Sequence, residues 1–153
     1  MSRAAVSKRI YEMLIKHLTS IKEEKLNVIE KYYPVWTNER SDFQELMDSY
    51  IKSIENTIYN EIEVDDNASD ACPFVIIGSQ VMLKDSYTNK SEEVKIVSPF
   101  TEEMSFNVDS ASYLSPMGRA FLLKKIEDDI KVETPMGIFQ YIIESIEIPP
   151  DMF

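Results

Sequence analysis

Ser115-Pro116-Met117-Gly118-Arg119-Ala120-Phe121-Leu122-Leu123-Lys124-Lys125, continued by Glu127-Asp128-Asp129 and then by Glu133-Thr134-Pro135-Met136-Gly137, decides how the last third of the chain folds. Ser115 is an N-cap type whose hydroxyl can take an amide hydrogen that the first helical turn leaves unpaired. Pro116 suits the first helical position, where no amide hydrogen is needed. A short helix is therefore predicted from 116 to about 124. Gly118 and Ala120 give it a side that can approach a sheet closely. Met136-Gly137 reads as a hairpin turn in which glycine supplies a positive φ.

Around this helix the apolar residues follow the period of strands. Residues 74–77, 81–83, 94–97, 104–108, 130–132 and 139–148 are short runs rich in β-branched and aromatic side chains. Gly78, Asp85-Ser86, Asn89-Lys90 and Met136-Gly137 punctuate them. Strands with one segregated helix predict a small α+β domain over 74–153.

Upstream lies an acidic, weakly apolar linker, 65–73, and before it the period is helical. From 6 to 33, Ile10, Leu14, Leu18, Ile21, Val28 and Tyr32 form one stripe, with Lys25 standing where it would be completed. The length predicts a helix of about 42 Å. Pro34 ends it, because the residue before a proline is pushed out of the helical region. Ser41 followed by Gln44 reads as a capping box opening a second helix, with the stripe Phe43, Met47, Tyr50, Ile54, Ile58 and Ile62. Two such helices on a short connection predict an antiparallel helical hairpin, of coiled-coil type, over 1–64.

Composition bounds the function. The chain has 153 residues and a formal net charge of −11, so its surface repels phosphate and bulk nucleic-acid binding is not expected. The charge is uneven: residues 1–40 carry 8 Lys and Arg against 5 Asp and Glu, whereas 41–153 carry 8 against 22. Cys72 is the only cysteine and His17 the only histidine, which excludes an intrachain disulfide and argues against a metal cluster. No apolar run approaches the roughly 20 residues of a membrane span, and the start does not read as a signal peptide. A cytoplasmic location and no membrane partner are expected. With 3 Gly in the chain, a phosphate-cradling loop has no material. No catalytic triad or dinucleotide fingerprint is present either.

Read together, Ile77-Gly78-Ser79-Gln80-Val81, Ser112 with Ser115-Pro116-Met117, Gly118 and Ala120, Lys124-Lys125-Ile126-Glu127-Asp128 and Thr134-Pro135-Met136-Gly137 resemble the C-terminal signature of the Gre family of bacterial transcript-cleavage factors. The resemblance covers 74–148 and departs from the family at three places. Leu114 stands where Asp or Asn is usual before the Ser-Pro element, and Leu123 and Glu127 stand where Gly is common.

This resemblance implies an FKBP-like antiparallel sheet domain carrying a helical hairpin that enters the secondary channel of RNA polymerase. It implies contact with the polymerase through Leu114, Ser115, Pro116 and Met117. Trp36, in the hairpin turn, reads either as a contact residue at an exposed tip or as a cap folded back over the hairpin's end. Nascent RNA would be met only indirectly, and the chain is expected to act as a monomer. In cleavage-competent members the tip carries a D-x-x-E pair, matched here by Asp42-Phe43-Gln44-Glu45. Its role there implies a Mg²⁺ shared with the polymerase active site and no stably bound cofactor. Asp42 and Glu45 also have a plainer reading, as acids favoured in the first turn of a helix by its dipole. The family's N-A-x-Y does not follow Glu45, and the second helix is about three turns shorter than is usual. Stimulation of RNA cleavage and channel binding without cleavage therefore both stand as expectations. A proline-binding or prolyl-isomerase module stands behind them on fold analogy alone.

Overall fold

The computed structural model describes residues 3–101 and 109–153, and the chain divides into two units, Met1–Asp70 and Ala71–Phe153.

The first unit is the helical hairpin. Helix α1 spans Lys8–Tyr32 and begins where the Ser7 hydroxyl accepts the Ile10 amide hydrogen at 3.1 Å. It is about 37 Å long. Val6, read as helical, lies instead in a strand, β1 (Ala4–Val6). Helix α2 spans Asn38–Asn56 and is capped by Thr37, whose hydroxyl accepts from the Arg40 amide at 3.2 Å. The Ser41–Gln44 capping box does not form. The chain reverses within four residues after Tyr33, so Ser41 is already the fourth residue of the helix. Arg40 makes this tight reversal possible. Its guanidinium donates to the carbonyl oxygens of Tyr33 at 3.3 Å and Pro34 at 3.4 Å, which α1 leaves unpaired at its end.

The seam packs Ile10, Met13, Leu14, His17, Ile21 and Val28 of α1 against Phe43, Met47, Tyr50, Ile51 and Ile54 of α2. The stripe read for α2 is fully buried, whereas on α1 Met13 and His17 take places that had been read for Leu18 and Tyr32. Lys25 closes its gap in the seam by pairing with Asp48, and Lys22 pairs with Glu55 at 3.5 Å. A widened turn of π type at Thr57–Glu61 follows α2, and Ile58 within it stays buried.

Strand β2 (Ile62–Val64) then runs parallel to β1, Val6 opposite Val64, and the Asp65 amide donates to the Val6 carbonyl at 2.9 Å. Neither strand was legible as one. Three-residue strands carry no period, and their partner lies over fifty residues away.

The second unit is a curled five-stranded sheet with one short helix, the α+β class expected. Its strands are β3 (Gln80–Asp85), β4 (Ser91–Val97), β5 (Asp109–Ser112), β6 (Asp129–Thr134) and β7 (Gly137–Glu147), in the order β5-β4-β3-β7-β6. The pairs are antiparallel except β4 with β5, which are parallel, so the sheet is mixed rather than purely antiparallel. The candidate strand at 104–108 lies outside the described residues. The run 74–77 is buried but is not a strand. Ser79 intercepts it, its hydroxyl accepting from the Ile76 amide at 2.9 Å, and Gly78 turns the chain at φ 102° just before β3. Val81, Leu83, Ile96, Tyr113, Phe121 and Ile143 form the floor of the core, each essentially inaccessible to solvent. A side chain the size of Phe121 contributes about 2–3 kcal/mol by such burial.

Candidate functional site

Helix α3 (Pro116–Phe121) begins as its sequence indicates, with Pro116 at its first position. The Ser115 hydroxyl donates to the Ser112 carbonyl at 2.7 Å and accepts from the Gly118 amide at 3.0 Å. The Ser112 hydroxyl accepts from the Leu114 amide at 3.0 Å, and Arg119 Nε donates to the Leu114 carbonyl at 3.0 Å. The two serines are thus spent on holding the loop. What the loop offers a partner is the exposed ring of Pro116 and the half-buried side chains of Leu114 and Met117. A Cβ on Gly118 would stand 2.0 Å from the Ser112 carbonyl oxygen, so this glycine alone permits the close approach. The helix stops at Phe121, three residues earlier than expected, because Leu123 adopts a left-handed backbone with φ 68°.

On the hairpin, the connection between α1 and α2 exposes Val35 and Trp36, which are 68% and 69% accessible. The Arg40 guanidinium lies 4.0 Å from the centre of the Trp36 ring, so the tryptophan is held as a stacked plate. Arg40 was missed in the sequence although the i, i+4 spacing from Trp36 was visible. Placing the helix start at Ser41 had left it in the turn.

Asp42 and Glu45 stand farther back, in the second turn of α2 and beyond, about 7 Å and 12 Å along the axis from Thr37. The helix dipole acts within the first turn, so the first-turn reading of these acids fails and passes to Glu39. Three residues apart on a helix, the two carboxylates diverge by about 60° around the axis. Both are exposed, on the side away from Phe43, Met47 and Ile54. Glu45 borders an open depression lined by Trp36, Ser41, Gln44, Asp48, Ser49 and Lys52. Neither Asp42 nor Glu45 makes a hydrogen bond or ion pair among the described residues, whereas Asp48, one turn on, is neutralised by Lys25. No group of three His, Cys, Asp or Glu among the described residues could hold a metal. Two hard oxygen donors suit Mg²⁺ in kind but not in number, so they fit only as a minority share of a ligand set completed elsewhere.

Two buried titratable groups, His17 and Cys72, are structural. His17 is buried in the seam and burial pushes its pKa down to about 4. Cys72 is buried beside the Phe74 carbonyl, and burial lifts its thiol to about 11, far from a reactive thiolate.

The chain matches the family model for the C-terminal part of transcription elongation factor GreA/GreB over residues 70–148, just over half its length. The transcription elongation factor GreA of Syntrophus aciditrophicus (strain SB) is 34% identical over 76 residues, 50% of this chain and 46% of that protein. This match thus spans about half the length of the relative. The GreA of Nitratidesulfovibrio vulgaris (strain DP4) is 28% identical over 160 residues, 95% of this chain and 94% of its own. Among solved structures, the prokaryotic transcription elongation factor GreA/GreB from Nitrosomonas europaea shares the fold at 17% identity and a TM-score of 0.50, covering 95% of this chain and 99% of that one.

Proposed function

The chain belongs to the GreA/GreB family of transcription elongation factors, and on that premise we propose that it binds RNA polymerase through the secondary channel and stimulates the polymerase's own cleavage of backtracked RNA. The observation that carries this reading is the pair of free, exposed carboxylates, Asp42 and Glu45, on the outer face of α2. Solvated carboxylates with no internal partner are available to a ligand brought by a partner protein.

In this reading the hairpin is a positioning device. The Ile10–Ile54 seam keeps α2 straight, and Arg40 fixes the turn so that the depth of the acids is set. Asp42 and Glu45 then present oxygens to a Mg²⁺ shared with the polymerase, whose remaining ligands and RNA substrate the polymerase supplies. Such an ion, when bound, activates water and offsets charge at the phosphodiester. Docking falls to Trp36 on the hairpin and to Leu114, Pro116 and Met117, on the loop that Ser115 holds. The factor acts in the cytoplasm, as a monomer, and has no active site of its own. Among the described residues no helix is long and apolar enough to cross a membrane.

One observation favours a second reading, channel binding without cleavage. The apex presents Val35 and Trp36, with the acid pair set about one to two turns behind it along α2. Stalled, backtracked polymerase complexes decide between the two. Release of 3′ RNA fragments by wild type, lost in Asp42→Ala and Glu45→Ala, supports stimulation. No release despite binding selects the second reading.

A further inference from the structure

The loop after α3 presents cations in an acidic unit. Residues 71–153 contain seven Lys and Arg against thirteen Asp and Glu, and three of the seven fall at Arg119, Lys124 and Lys125. Lys124, Lys125 and Ile126 are all exposed, Ile126 at 48%, and neither lysine makes an ion pair among the described residues.

The backbone beneath them is pinned at both ends. Leu123 donates to the Val75 carbonyl at 2.7 Å, and Val75 donates to the Lys124 carbonyl at 2.9 Å. Glu127 donates to the Ile143 carbonyl at 2.8 Å, and the Asp128 carboxylate accepts from the Lys125 amide at 2.8 Å. Leu123 and Glu127, which bracket the three exposed side chains, both adopt the left-handed backbone, at φ 68° and 74°. Non-glycine residues are held there only when their surroundings impose it, which makes such positions a pointer to function. The result is a rigid loop that aims two unpaired ammonium groups and one apolar side chain at solvent.

Resting on the family reading above, we infer that Lys124, Lys125 and Ile126 dock on an acidic segment of the polymerase surface that also offers an apolar contact. Charge complementarity selects this occupant over nucleic acid. Glu127, Asp128 and Asp129 follow the lysines directly, and a continuous phosphate chain crossing the loop would meet them. A short acidic segment of a folded protein surface can meet the lysines without crossing those acids. Preorganisation lowers the cost of docking, because the loop has little freedom left to lose.

The test measures binding of the full chain to core polymerase at two salt concentrations, with single-stranded RNA as a separate ligand. Lys124→Glu with Lys125→Glu is expected to weaken polymerase binding by about tenfold or more at low salt and to flatten its salt dependence. Lys124→Arg with Lys125→Arg is expected to retain both, and melting curves verify that each variant is folded. Equal binding and equal salt dependence in the reversed variant overturn the docking inference and leave the family reading standing. Failure of wild type to bind polymerase overturns both. RNA binding by wild type that the reversal abolishes makes the loop a nucleic-acid site and overturns the inference.

Discussion

Nε2 of His17 and the phenolic oxygen of Tyr50 lie 2.8 Å apart inside the hairpin, their rings almost perpendicular at 89°. It is a buried polar contact among the Ile, Met, Leu, Val and Phe side chains of the seam. Its partners are fixed by burial, so it ties the register of α1 to that of α2.

Acid is expected to weaken the hairpin through this pair. The His17 pKa falls from 6.5 to about 4 on folding because burial penalises the charged ring. The unfolded chain therefore binds the proton more readily, and stability rises with pH between these values. The contribution is complete above about pH 6.5 and is lost as pH falls toward 4, to a total of about 3 kcal/mol. Urea unfolding at pH 7 and pH 4.5 is expected to show wild type losing about 2 kcal/mol more than His17→Gln. Subtracting the variant removes the carboxylates that titrate in the same range.

Glu127→Gly is expected to stabilise the second unit. Glu127 is exposed and has a φ of 74°, where a side chain costs about 1–2 kcal/mol. Glycine removes that cost and returns about half of it as extra freedom of the unfolded chain. The expected gain is about 0.5–1 kcal/mol, measured by denaturant midpoint, and Glu127→Val is expected to lose about 1 kcal/mol or more.

Gly118→Ala is expected to be severe. The added methyl would collide with the Ser112 carbonyl, a backbone atom that cannot swing away, and would push α3 off the end of β5. A loss of about 3 kcal/mol or more is expected in urea unfolding. Ala120→Gly, in the same helix, should cost only about 1 kcal/mol.

Asp42→Ala and Glu45→Ala are expected to leave stability within about 0.5 kcal/mol of wild type, since neither side chain has an internal partner. Any loss of RNA cleavage in these variants then reports function rather than folding. Calorimetry on the same preparations used for the cleavage assay is the check.

Legibility in the sequence followed the range of the interaction. The α2 stripe from Phe43 to Ile58 was readable because each residue's fate depends on neighbours three and four positions away. The Ser115-Pro116 helix start was readable for the same reason. Thr37 was overlooked in favour of Ser41 because Ser41 has the Gln three residues on that a capping box calls for, while Thr37 has Arg40. The decisive factor was Arg40 reaching back across the turn to Tyr33 and Pro34, and no local pattern encodes it. The run 74–77 misled because continuous apolarity reports burial and not conformation. Of the candidate site, the spacing of Asp42 and Glu45 was visible but their depth was not, since depth is set by where the preceding turn closes. The departures at Leu123 and Glu127 were visible as substitutions. Only the backbone reveals that both residues bear the left-handed geometry a glycine would take without strain.

The parallel pairing of Val6 with Val64 carries a mechanical consequence. Tension applied between the two ends of the helical unit pulls β1 and β2 in opposite senses along their length, loading every rung of the ladder at once. An unclasped pair of helices would peel open turn by turn from its base. The three-residue clasp turns that easy unzipping into a shear, which resists separation of the two helices at their base.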